Sequence, residues 1–202
     1  MRDSRISLRI MICILLAGIV LFQRLPPAEA QAKPLQRKVV QLPQGALTRI
    51  PSPHGTWTLV FECPNDCSER RLWLENSSTR SRKLVGKYDR SLSVSWAPDG
   101  RAFFVDDEYG SNGTLSYVYD PTTLKATDLA TLIATGDAQE TQFLKAGHSY
   151  LRAKRWLSSH EVLVVLYGHF DEGPPRGFTI QYRVDLNGQV NKLWQRSEEE
   201  SQ

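Results

Sequence analysis

The chain has 202 residues, 41% of them hydrophobic and 23% charged, and a formal net charge of +3. That length sets one domain with a real core instead of two. A charge so near neutrality, with the basic residues dispersed, excludes the electrostatic footprint of a nucleic-acid binder.

The first thirty residues differ in kind from the rest. Arg2, Arg5 and Arg9 form a basic start, Ile10 to Phe22 is an uncharged run of thirteen residues, and Ala28-Glu29-Ala30 has the small-x-small form of a cleavage site. These features predict an export signal over residues 1–30, cut after Ala30 and followed by a periplasmic or secreted chain. Thirteen residues fall short of the roughly 20 that span a bilayer, so no stable membrane anchor is expected after cleavage. Removal leaves 172 residues with a net charge of +1 and takes Cys13 away. Cys63 and Cys67 remain, separated by the turn-forming Pro64-Asn65-Asp66, and a disulfide at a hairpin mouth is the expectation. A zinc half-site would need further ligands, and no His-x-x-x-His lies nearby.

Residues 31–49 read as an extended lead-in with Pro34 and Pro43, in which Lys38 to Leu42 adds one edge strand. From Ile50 the sequence repeats itself. Pro53-His54-Gly55-Thr56-Trp57 aligns with Pro98-Asp99-Gly100-Arg101-Ala102 and then with Ser158-Ser159-His160-Glu161-Val162. Each is a turn leading into an apolar strand. Before the central turn, Ser93, Ser95 and Ala97 alternate with Val94 and Trp96, the period of a half-buried strand. A following strand also recurs, Leu72 to Asn76, Ser116 to Asp120 and Gln181 to Asp185, each ending on Asn or Asp. Closing strands are expected near Leu84-Val85, Leu129 and Leu193-Trp194. Between the second and third units, residues 130–146 carry Leu129, Leu132 and Ile133 at helical spacing, which predicts one or two short helices.

Ser95-Trp96-Ala97-Pro98-Asp99-Gly100-Arg101 followed by Tyr117-Val118-Tyr119-Asp120 resembles the repeats of TolB-like, WD40-like β-propellers, a repeat type shared with the propeller domains of the dipeptidyl peptidase IV family. The resemblance implies an all-β fold over residues 50–195, with a polar tail at 196–202. About three four-stranded, propeller-like antiparallel blades with a short helical insertion are expected. Closed propellers have four to eight blades, so a second copy, a partner, or the lead-in and insertion must cover the open edges. Trp57, Trp73, Trp96, Trp156 and Trp194 fall at matching strand positions and read mostly as blade-packing core.

The sequence has no Gly-x-Ser-x-Gly, and Gly110-Ser111-Asn112-Gly113 lacks the lysine of a phosphate loop and reads as a hairpin turn. Asp106-Asp107-Glu108 breaks the alternation of a calcium loop and reads as a solvated acidic turn. Arg80-Ser81-Arg82-Lys83 reads as a solvated face. His160 and His169 flank one strand about 30 Å long, too far apart to share a metal. His54 and His148 read as structural. The candidate ligand-recognition residues are therefore His169, Phe170, Asp171, Glu172 and Arg176 on one polar loop, and, as a separate acidic group, Asp106, Asp107 and Glu108. No metal or cofactor is expected. The reading that follows is an exported, non-catalytic binding or scaffold protein that recognises a protein partner or itself. The alternatives are a hydrolase or lyase using the His169–Arg176 loop, and a structural subunit that completes a ring.

Overall fold

The computed structural model describes residues 38–64, 67–135, 138–173 and 176–198. The export-signal reading, the start of the lead-in and the end of the tail lie outside them. Ahead of the repeats stands β1 (Val40–Leu42), the expected lead-in strand. The first blade follows as β2 (Leu47–Pro51), β3 (Trp57–Glu62), β4 (Arg70–Asn76) and β5 (Arg82–Tyr88), all antiparallel neighbours. The second is β6 (Leu92–Trp96), β7 (Phe103–Asp107), β8 (Gly113–Tyr119) and the three-residue β9 (Ala126–Asp128). The insertion forms α1 (Leu129–Ala134) and α2 (Ala138–Leu144), as the spacing of apolar residues predicted. The third blade is β10 (His148–Trp156), β11 (Glu161–His169), β12 (Gly177–Asp185) and β13 (Val190–Glu198).

The repeat has a local physical cause at both of its turns. Between the first two strands of a blade, Ser52 N–H donates to Trp57 O at 2.8 Å and Ala97 N–H donates to Ala102 O at 2.9 Å. Gly55 and Gly100 sit at φ of +71° and +70°, a conformation that only glycine adopts without strain. In the third blade Leu157 N–H reaches Glu161 O at 2.8 Å one residue sooner, because Ser158-Ser159-His160 replaces a four-residue turn. The recurring Asn or Asp closes the next turn but one. Asn76 Oδ1 accepts from Ser78 and Thr79 N–H, Asp120 Oδ1 from Thr122 and Thr123 N–H, and Asp185 Oδ1 from Asn187 N–H. A short side chain with a carbonyl oxygen is what such turns need.

The blades stack through two cores. Leu92, Val94 and Trp96 of β6 and Phe103 and Val105 of β7 pack with Leu59, Phe61, Leu72 and Leu74 of the first blade. From the opposite face of the same sheet, Phe104 and Val118 pack with α1, α2, Val162, Val164, Leu166, Ile180 and Tyr182. The β6 strand is therefore buried along its whole length, not half-buried. Its serine face carries small side chains because the third blade lies against it, and Trp156 Nε1–H donates to Ser95 O at 3.2 Å.

Two edges are managed within the chain. The β1 strand pairs with β6, Val40 opposite Val94, and covers the edge that begins the second blade. The β8 strand shares its far edge between β9, through Tyr117–Tyr119, and β10, which pairs parallel through Gly113 and Thr114. That sharing corrects the expected closing strand at Leu129: β9 stops at Asp128, whose side chain caps α1 by accepting from Ala130 N–H at 2.9 Å, and Leu129 is the first helical residue. The tryptophans also divide. Trp96 and Trp156 are core, Trp57 and Trp73 are half-buried, and Trp194 is 49% exposed on the outermost strand.

Candidate functional site

The two outer faces of the stack differ in chemistry. On the first blade, Val60, Trp73, Glu62 and Glu75 point away from the core, and arginines cover them. Glu75 is buried, and it accepts hydrogen bonds from Arg49, Arg80 and Arg82, at 2.8 Å from each of the last two. Arg82 also reaches Glu62 at 2.6 Å, and Glu62 accepts from Trp73 Nε1–H at 2.9 Å. The three guanidinium groups hold the Glu75 carboxyl down to about 2. Arg80-Ser81-Arg82-Lys83 is exposed, as a solvated face implies, and Arg80 and Arg82 also form an ionic lid over Glu75. This is the polar outer cap that a stacked repeat requires.

On the third blade the register aligns a different set. His148 lies opposite His169, Tyr150 opposite Tyr167, and Arg152 opposite Val165 across β10 and β11. Across β12 and β13, Tyr167 is followed by Thr179 and Arg196, and Val165 by Gln181 and Trp194. The tyrosine rings stack at 5.1 Å, and Lys154 Nζ lies 5.9 Å from the Tyr167 ring centre. Tyr150, Tyr167, His169, Thr179 and Arg196 line a shallow cleft of about 350 Å³ along this face.

The candidate residues inferred from the sequence sit at the ends of β7 and β11, and their roles separate. Asp106 is not in a solvated turn. It is buried in β7, where its Oδ1 accepts from Ser116 Oγ at 2.7 Å and from Ala153 N–H of the third blade at 2.9 Å. Burial raises its carboxyl from the ordinary value to about 7, and the two hydrogen bonds only partly oppose this. Asp107 is half-buried and is also raised, first by desolvation and then by Asp89 and Glu108. Glu108 pairs with Arg152 at 2.8 Å. Phe170 anchors its loop in an aromatic cluster, 5.9 Å from Phe143 and 5.6 Å from Phe178. Glu172 and Arg176 are exposed on that loop.

His169 and Asp171 do come together, with a residue that the sequence reading set aside. His148 does not stand alone: its ring stacks on His169 at 4.1 Å with 16° between planes, and its Nε2 lies 3.9 Å from Asp171 Oδ1. The ligand atoms of the three residues all lie within 4.8 Å of one another. Sequence spacing hid the pair, since 21 positions separate the two histidines. Each follows a glycine, Gly147 and Gly168, and that doublet was the available signal. His160 lies at the opposite end of β11, as its position in the sequence implied.

No protein-family model and no curated protein sequence matches the chain. Solved structures do match. The β-propeller domain of the Trilobed protease from Pyrococcus furiosus, described as having an open velcro topology, is 15% identical with a TM-score of 0.47, over 74% of this chain and 43% of that one. TolB from Acinetobacter baumannii is 16% identical with a TM-score of 0.37, over 78% and 32%. The Pyrococcus horikoshii acylaminoacyl peptidase is 13% identical with a TM-score of 0.43, over 75% and 25%. All three are β-propeller proteins, and the chain spans less than half the length of each.

Proposed function

We propose that this is an exported, non-catalytic binding protein of the cell envelope, and that the outer face of its third blade receives a protein partner. The observation that carries the reading is the asymmetry of the stack. Both faces carry exposed apolar side chains, Leu47 and Leu84 on the first blade and Trp194 on the third. The first, however, is crossed by an arginine–glutamate lid, whereas the third presents stacked tyrosines and Val165 among Arg152, Lys154 and Arg196, beside the long outer strand β13. A terminal sheet face that presents aromatic and aliphatic side chains among cationic ones, bordered by a strand edge that is unpaired among the described residues, is the kind of surface that another protein covers. Two of the three acidic candidates on this side serve the structure: Asp106 ties the second blade to the third, and Glu108 neutralises Arg152. Export rests on the basic-apolar-small pattern of residues 1–30, and the Cys63–Cys67 disulfide suits an oxidising compartment.

A photo-reactive amino acid at Val165 or Trp194, activated in intact cells, tests this. The expected result is one discrete protein adduct from those positions and none from Arg71 on the first blade. Adducts of the chain with itself would assign the face to self-association. Adducts from neither position, or equally from Arg71, would overturn the reading.

A further inference from the structure

We propose that His148, His169 and Asp171 form a binding site for a divalent transition-metal cation, with Zn²⁺ as its natural probe. The histidines are directly opposite on β10 and β11, so the sheet itself fixes their side chains on one face. Two imidazoles and one carboxylate are a donor set for late first-row divalent metals, which bind such nitrogen and oxygen atoms at about 2.0–2.2 Å. Ligand atoms on a tetrahedral ion then lie about 3.4 Å apart. The donor atoms already lie within 4.8 Å of one another, with Nε2 and Oδ1 at 3.9 Å, and binding turns the exposed His169 ring out of its near-parallel stack on His148 so that both in-plane lone pairs meet at one ion.

The hydrogen bonds behind the site select the nitrogen that would bind. Tyr150 donates its only hydroxyl proton to Ser111 O at 2.7 Å. At the 3.3 Å contact between His148 Nδ1 and the Tyr150 oxygen, the proton must therefore belong to Nδ1. That leaves the lone pair of the neutral ring on Nε2, the atom facing Asp171. A ligating histidine held through its other nitrogen in this way is the usual supporting arrangement at protein metal sites. The two glycines supply the room. A Cβ on Gly147 would fall 1.9 Å from Asp171 Oδ2, and one on Gly168 would fall 1.8 Å from His148 O. Three protein ligands at an exposed rim leave the remaining coordination positions open to water or to another donor.

Calorimetric titration of the purified, oxidised protein with Zn²⁺ is expected to give one equivalent of saturable binding, stronger at higher pH because the imidazoles must be neutral. His148→Ala and His169→Ala should each weaken it at least tenfold. Tyr150→Phe, which preserves the ring stack, should weaken it about tenfold, and His160→Ala should change nothing. Histidine side-chain NMR of the unsubstituted protein gives an independent readout, with the His148 and His169 rings shifting on Zn²⁺ addition and those of His54 and His160 unmoved. No saturable uptake, uptake that survives loss of both histidines, or shifts confined to His54 and His160 would overturn the proposal.

Discussion

Asp106 of the second blade accepts the backbone N–H of Ala153 in the third at 2.9 Å, at the point where β10 departs from regular register. That N–H is buried between the blades, where a donor without a partner would be costly. A carboxyl group is drawn into an apolar interface to meet it, and the two blades are fixed to each other there.

This placement makes stability depend on pH in an unusual direction. The folded carboxyl titrates near 7, above its ordinary value, so between about pH 4 and 7 the folded state holds a proton that the unfolded state has lost. Stability should therefore fall as pH rises through that window and level off above it, by at most roughly 4 kcal/mol. Asp106→Asn keeps the accepting oxygen and removes the titration. Thermal melts from pH 4 to 8 should show the slope in the original protein and its loss in the variant. Parallel profiles would refute the assignment.

The Glu75 cluster works in the opposite sense. Its carboxyl lies well below the ordinary value because Arg49, Arg80 and Arg82 donate to it, so its contribution is present above about pH 4 and is lost as pH falls toward 2. Glu75→Gln should lower the melting temperature at pH 7 and flatten the acid limb of the stability curve below pH 4. An unchanged acid limb would mean that the three arginines are held by something else.

The turns and strands were legible because they are local. Pro98-Asp99-Gly100 and the Asx residues Asn76, Asp120 and Asp185 encode their own hydrogen bonds, and the alternation in β6 followed by the apolar start of β7 encodes a strand pair. What escaped reading depends on which blade lies against which. Ser93 and Ser95 look solvent-facing until a second core covers them, and Asp106 looks like a turn acid until Ala153 reaches it. Arg80 and Arg82 are as solvated as they look, but their pairing with the buried Glu75 shows only once β4 brings that carboxyl between them. The pairing of His148 with His169 follows from β10–β11 register, which is set by the length of the Ser158–His160 turn and the bulge after Ala153.

The Cys63–Cys67 disulfide closes a short loop between β3 and β4, with Cys63 itself buried in the first core. Chain entropy over so short a loop is worth about 2 kcal/mol. Replacing both cysteines by alanine should therefore leave the fold intact and lower the urea midpoint by a corresponding amount. The same shift should appear on reduction of the original protein. A variant that is unfolded at room temperature would show that the bridge holds the first blade together, beyond restraining its loop.

Gly168 of β11 lies against the β10 backbone with no room for a side chain. A methyl group there would lie 1.8 Å from the His148 carbonyl oxygen and 3.1 Å from the Phe178 ring, so the backbone has no room to accept it. The rim end of the β10–β11 ladder would have to part, and with it the packing of Phe178 against Phe143 at 4.8 Å. Gly168→Ala should cost about 1–3 kcal/mol, the range for overpacking a filled site. Because the clash is at one end of the strand pair, amide exchange should accelerate at Ser149, Tyr150 and Tyr167. It should stay slow at Val162 and Val164, where the ladder is held in the core. Uniform acceleration along β11 would mean instead that the third blade opens as a single unit.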